Sequence, residues 1–252
     1  MDARDPRIVR ANQLIDAEPT RPGPAVAPFG RMTRLCTALS KELAAWGVGV
    51  SVLADDNTYR GGTIASSDPG SRRLDELQFT LGEGPCLDAY ATRGPVLEPD
   101  LSGHGRVRWP GYAAAAQLEG VRAVFAFPLQ IGAARAGALD VYRDRPGSLS
   151  EDALAQASTF ADVAMGLLLD SQAGADTSGD GETPAAGADL DRAMSHRLEV
   201  YQAQGMVMVD LGVSLDEAMA RLRAHAYAHD RSLTDVAKDV VAGSLRLSQD
   251  KP

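Results

Sequence analysis

The sequence predicts an α+β protein: an antiparallel sheet with flanking helices, followed by an all-α three-helix unit on a long coiled-coil-like helix. Three observations predict it. Between Phe29 and Asp170, helical spacing of apolar residues gives way to short alternating runs and then returns. A small, polar, acidic stretch, SQAGADTSGDGETPAAG, comes next. Behind it, three helix signals follow in close succession between Val200 and Val241. The expected plan is an N-terminal extension over 1–28, a sheet domain over 29–170, a flexible linker over 171–187 and a helical domain over 188–247.

In chain order, Ile8, Val9, Leu14 and Ile15 suit a short helix, and the prolines at 19, 22, 24 and 28 make 19–28 irregular. Met32, Leu35, Leu39 and Leu43 mark a helix. Val48–Leu53 is a strand, Asp55-Asp56-Asn57 a turn, and Tyr59–Ser66 the returning strand. Leu74 and Leu77 suggest a short helix before Phe79. In LGEGPCLDAY, two glycines and a proline force a tight loop, and a helix begins near Pro85. It is no phosphate cradle: Leu87 stands where a third glycine belongs, and no Gly-Lys-Ser/Thr follows. The loop is expected to reverse the chain over a pocket, with Cys86 a structural cysteine beneath it.

Val96-Leu97-Glu98 is a short strand. Ser102–Arg106, around His104, is expected as a mobile loop beside that pocket. Trp109-Pro110 leads into a helix through Leu118. Val121–Ile131 and Gly137–Arg143 are adjacent strands, and Ser150 caps a helix through Leu154, Phe160, Ala164 and Leu168.

In the helical domain Leu190, Met194, Arg197, Tyr201, Gln204 or Gly205, and Met208 run at near-heptad spacing, and Leu198 widens the stripe. Such a helix is long enough to pair with its copy, so a homodimer through helices 150–170 and 190–210 is expected. The chain turns at Leu211-Gly212-Val213. Ser214 and Glu217 then form a Ser-x-x-Glu capping box, ahead of Leu215, Ala218, Met219, Leu222 and Ala226 on one face. His229-Asp230-Arg231 breaks this helix and Ser232 caps the next, whose apolar side is Leu233, Val236, Ala237, Val240 and Val241. Gly243 ends it.

Composition narrows the function. The 252 residues carry a net charge of −9, and the pI is near 4.9. A general grip on polyanions, which needs clustered Lys and Arg, is therefore not expected. No apolar run is long enough to span a membrane, and Met1–Asp5 leads into no signal segment, so a cytoplasmic location is expected. Two cysteines, Cys36 and Cys86, make neither a disulfide framework nor a metal set. The acidic residues are scattered over turns and polar faces, and most are expected to be solvated. No general acid–base pair, nucleophile elbow or catalytic residue emerges. His225 and His229 lie four apart, with no third ligand and no zincin glutamate, so no metal is expected there. The Met and Tyr stripe suits a core or dimer seam, with Tyr201 and Tyr227 the candidates for stacking on bases.

The helical domain resembles the ANTAR domain, an RNA-binding module of bacterial transcription antitermination regulators. The matching residues are Ala203-Gln204-Gly205-Met206-Val207-Met208, Ser214 with Glu217-Ala218, Leu222-Arg223 with Ala226, and Leu233 with Asp235-Val236-Ala237. Where that family often has lysine before the glycine, this chain has Gln204. The resemblance implies binding of paired RNA hairpins in leader transcripts. The candidate contacts are Tyr201, Gln204, Arg221, Arg223, Tyr227, Arg231 and Lys238. Arg221 and Arg223 lie about 200° apart on a helix, so they serve different sides.

The sheet domain, through LGEGPCLDAY, RWPGY and VRAVFAFPLQIGAARAGALDVYRDRPGSLS, resembles a GAF domain, a small-molecule sensor fold. Candidate pocket residues are Cys86, His104, Trp109 and Phe125. Cys86 is not followed by His, so the bilin-attachment pattern is missing, as is the cyclic-nucleotide signature. No cofactor is expected, and the ligand is open. The chain is thus expected to be a signal-responsive RNA-binding antitermination regulator and not an enzyme. The rivals are a DNA-binding helix-turn-helix regulator, with the third helix as recognition helix, and a ligand-sensing scaffold acting only on proteins.

Overall fold

A computed structural model describes residues 5–19, 30–54, 60–177, 199–229 and 231–247. The strands β1 (Gly47–Ala54), β2 (Arg60–Ser66), β3 (Val96–Glu98), β4 (Ala123–Ile131) and β5 (Ala134–Arg143) form one antiparallel sheet in the order β2-β1-β5-β4-β3. Alternation decides which layer each residue enters. Phe125, Phe127, Leu139 and Val141 pack under α1 (Pro6–Ala17), α2 (Gly30–Glu42) and α7 (Glu151–Thr177). Val124, Ala126, Ala138 and Tyr142 face the opposite layer. That layer holds α3 (Pro69–Leu81), α4 (Pro85–Thr92), α5 (His104–Arg108) and α6 (Pro110–Leu118).

Helix α1 is part of the sheet domain's core. Ile8, Ala11 and Ile15 are buried with Leu35, Leu39 and Leu168, and Asp5 caps the helix by accepting the Arg7 N–H at 2.8 Å. Helix α3 is longer than the spacing of Leu74 and Leu77 suggests and takes in Phe79. Its start is set by Asp68, whose carboxylate accepts the N–H groups of Gly70 and Ser71 at 2.8 and 2.9 Å, with Pro69 in the first turn. Part of Ser102–Arg106, expected as a loop, lies in a short helix, His104–Arg108. Helix α7 runs on to Thr177, into the stretch whose composition suggests a linker. The rest of that stretch lies outside the described residues, as do Asp55-Asp56-Asn57, Leu190, Met194, Arg197, Leu198 and Asp230.

The helical domain consists of α8 (199–211), α9 (Leu215–Ala228) and α10 (Leu233–Val241). Both serine caps form: Ser214 Oγ accepts the Glu217 N–H at 3.2 Å and Ser232 Oγ accepts the Asp235 N–H at 3.0 Å. The reciprocal half of the capping box does not, because the Glu217 carboxylate pairs with Arg221 at 2.8 Å. Gly212 and Gly243 take the left-handed conformation just past α8 and α10. Ala203, Val207, Leu211, Ala218, Leu222, Ala226, Val236, Ala237 and Val240 form the core.

Candidate functional site

The sensor-side interior is built around two buried carboxylates. Asp140 sits on β5 between Ala138 and Tyr142 in the alternation, so it points into the layer of α3 and α4 instead of solvent. Asp75 comes down from α3 to meet it, and both are almost completely buried. Tyr142 Oη donates to Asp75 Oδ1 and lies 3.3 Å from Asp140 Oδ2. Gln78 Nε2 donates to Asp140 Oδ2 at 2.8 Å, and Gln78 Oε1 accepts the Cys86 N–H at 2.8 Å. Gly49 and Gly84 make room. An added Cβ would come within 1.8 Å of Asp75 Oδ2 at the first and 2.3 Å of Gln78 Oε1 at the second. Asp75 Oδ2 has no hydrogen-bond partner among the described residues.

Most acidic residues are expected to be solvated, and Asp75 and Asp140, like Glu98, are buried exceptions. Burial, and then the Asp140 charge, pushes the Asp75 carboxyl well above its ordinary range. Burial pushes Asp140 up to about 7, against hydrogen bonds from Gln78 and Tyr142 that pull it down. Two carboxyls close to one tyrosine hydroxyl cannot both ionise cheaply in a dry interior, so the pair holds a proton. The Cys86 thiol is pushed up by burial and by Asp140 and Asp75, the opposite of an activated thiolate.

The four candidate pocket residues do not converge. Cys86 and Trp109 share this layer, but Phe125 belongs to the other one because β4 alternates. His104 is exposed, with Nδ1 3.2 Å from Glu98 Oε2. The glycine loop and the RWPGY segment do meet. Glu83 Oε1 accepts the N–H groups of Gly111 and Tyr112 at 2.7 and 2.8 Å, capping α6. Asp88 takes Trp109 Nε1 at 2.9 Å and Arg108 at 2.7 Å.

In the helical domain, Gln204 is buried, and its amide donates to the Leu215 carbonyl at 2.8 Å, fastening α8 to the start of α9. Arg231 pairs with Asp239 at 2.7 Å. Tyr201 and Lys238 are half-buried. Tyr227 is 54% exposed at the end of α9. Beside it the His225 and His229 rings stack with centroids 4.0 Å apart, and His229 Nδ1 lies 2.8 Å from the His225 carbonyl. Burial, His229 and Arg231 hold His225 below the usual histidine range, which favours its neutral imidazole near pH 7. Arg223 leaves this surface and lies against Gly82 of the sheet domain.

A family model for the GAF domain matches residues 31–168, and one for the ANTAR domain matches 188–241. No curated protein matches the chain. Among solved structures, the GAF domain from an Acinetobacter phosphoenolpyruvate-protein phosphotransferase is 16% identical. The match covers 69% of this chain and 97% of that one, with a TM-score of 0.49. The GAF domain from a Coxiella burnetii phosphoenolpyruvate-protein phosphotransferase is 17% identical over 66% and 93% of the two chains, with a TM-score of 0.49. A free methionine-R-sulfoxide reductase from Neisseria meningitidis, solved with its substrate, is 16% identical over 66% and 88%, with a TM-score of 0.47. At TM-scores below 0.5 these likenesses carry no functional weight.

Proposed function

Because this chain belongs to the GAF domain family and carries an ANTAR domain behind the sensor fold, we propose that it is a signal-responsive, RNA-binding transcription antitermination regulator. Both are regulatory domains, and the chain is a regulator built from a sensor and an effector. In the proposed mechanism the ANTAR domain binds paired hairpins in a leader transcript and holds them against a competing terminator hairpin. Transcription then continues. The sensor interior, with its shared proton and open Asp75 oxygen, takes a proton or a small donor-bearing molecule as its signal.

The observation that carries the RNA reading is how the ANTAR motif divides. Ala203, Gln204, Ala218, Leu222, Ala226, Val236 and Ala237 build the interior of the three-helix unit. They fix its shape and leave recognition to what projects from it: Tyr227, the stacked histidines, Arg221, Arg231, Lys238 and, once released, Arg223. A compact unit in an acidic protein with few projecting cations suits a folded RNA with splayed bases better than a bare polyanion. The DNA alternative is less supported, because α10, its recognition helix, exposes Asp235, a poor face for a phosphate-lined groove.

A homodimer through α8 belongs to the same reading. Met206 and Val209 are exposed on α8, and a Cβ added at Gly205 would meet nothing within 4 Å. Pairing two copies brings two RNA-binding units together and raises apparent affinity without any new contact. No described helix is long and apolar enough to cross a membrane, and the proposed site of action is the cytoplasm.

The purified protein should shift a two-hairpin leader transcript at low salt, and duplex DNA should not compete. Absence of any shift would overturn the RNA reading. Tyr227→Ala is expected to weaken RNA binding about tenfold, since a base stacked on an aromatic is worth ~1–3 kcal/mol. Its melting temperature should match that of the wild type, because the ring is largely in solvent. Equal affinity in a titration would remove Tyr227 from the interface.

A further inference from the structure

We infer that helix α3 of the sensor domain is a docking surface for α9 of the ANTAR domain, and that this contact withholds Arg223 from RNA. The inference rests on the RNA reading above and adds to it the means of control. Helices α3 and α9 lie in contact. A Cβ built at Gly82 would come within 2.6 Å of Arg223 Nη1 and 2.8 Å of its Cζ, so only a glycine leaves the guanidinium its place. Gly82 is the left-handed C-cap of α3. A helix ends there in open carbonyls and the negative pole of its dipole, which a planar cation complements. An RNA phosphate offers the same guanidinium an alternative partner, so docking and RNA binding compete for one side chain.

The contact also carries an opposing charge. Glu76, on α3, faces the like charge of Asp235 from α10, and burial together with that charge raises its carboxyl above the ordinary range. Arg72, one turn back on α3, is 3.7 Å from Glu76 and offsets part of this. The opposing charge weakens the docked state, and a signal with different affinity for the docked and released forms shifts the balance between them.

The same helix reaches the sensor interior on its other side. Asp75 precedes Glu76, and Gln78 holds both Asp140 and the Cys86 N–H. The Gln78 carbonyl also accepts the Gly82 N–H at 2.8 Å, so the turn on which Arg223 rests is fixed by the residue that reads the carboxylate pair. In this coupling a proton or donor arriving at Asp75 and Asp140 acts on α3 through Gln78, one turn ahead of the Gly82 cap.

Two variants of the full chain test this. Gly82→Asn keeps a residue tolerant of the left-handed conformation but places a Cβ where Arg223 lies. Glu76→Gln removes the opposing charge. Hydrogen exchange of α9 amides reads the docking without RNA, and titration with a two-hairpin transcript reads its consequence. In Gly82→Asn, exchange is expected to speed up and RNA affinity to rise about five- to tenfold, within the range of ordinary intersite coupling. Glu76→Gln is expected to slow exchange and weaken RNA binding. Unchanged exchange in both variants overturns the docking. Faster exchange in Gly82→Asn with unchanged RNA affinity overturns the withholding. If exchange responds in both variants and no form binds RNA, the docking stands and the RNA reading falls.

Discussion

Gly137→Ala is expected to destabilise the sheet domain by roughly 3 kcal/mol or more, a large share of the ~5–15 kcal/mol that holds a typical domain folded. Gly137 lies on β5, the central strand, where it pairs with Val52 of β1 and Leu129 of β4. A Cβ there would come within 1.9 Å of the Ser51 carbonyl oxygen and 2.8 Å of the Val52 Cα. Both are backbone atoms of a neighbouring strand, so no side chain can swing away. The strands must part and lose ladder bonds in the middle of the sheet. Gly62 on β2 is the control, since a Cβ added there meets nothing within 4 Å, and Gly62→Ala should change stability by less than about 0.5 kcal/mol. Thermal or urea unfolding of the two variants side by side decides the matter, and equal midpoints would refute the close approach.

The buried carboxylate pair gives the second large effect, a stability that falls as pH rises. The folded-state value of Asp140 is pushed up to about 7, against about 3.9 for an aspartate in an unfolded chain. Between those values the folded protein holds a proton that the unfolded chain has released. The contribution is present in full below pH ~4 and is lost as pH climbs through 7, at up to about 1.4 kcal/mol per pH unit for each proton. Asp75, raised by burial and by Asp140, acts in the same direction. Asp68 is held low by its hydrogen bonds to Ser67, Ser71 and Gly70 and acts the other way, losing its contribution in acid. The urea midpoint of the sheet domain should therefore rise by a few kcal/mol equivalents from pH 8 to pH 5. In Asp140→Asn the slope should flatten, because the amide never ionises. A wild-type midpoint that rises toward pH 8 would contradict the pair's shared proton.

Much of this architecture is legible in the sequence because the signals are local. The serines at 214 and 232 sit where the caps form, and Gly212 and Gly243 sit where the chain must turn left-handed. The strands from Val48 and Val96 need only alternation to be found. The candidate site is less legible, because it depends on which way residues point once distant elements meet. Asp140 does leave a trace, an acidic residue in phase with Ala138 and Tyr142 on an otherwise apolar strand. Its partner Asp75 lies between Leu74 and Glu76 on a helix with no such mark. Phe125 shows the converse, since an apolar residue on a strand buried on both faces carries no sign of which side it serves. Gln204 matches a position that suggests an RNA contact, yet spends its amide on the Leu215 carbonyl. Arg223 is unreadable from its own helix, because its neighbour Gly82 lies in another domain.

The first helix sets a boundary that family resemblance does not mark. The GAF match begins at residue 31, but Ile8, Ala11 and Ile15 already lie among Leu35, Leu39 and Leu168. A fragment cut to the matched span would strip that cover from α2 and α7 and leave a greasy strip facing water, the kind of surface that makes truncated proteins self-associate. The sensor domain's core begins upstream of its recognisable motif, on the helix that Asp5 caps.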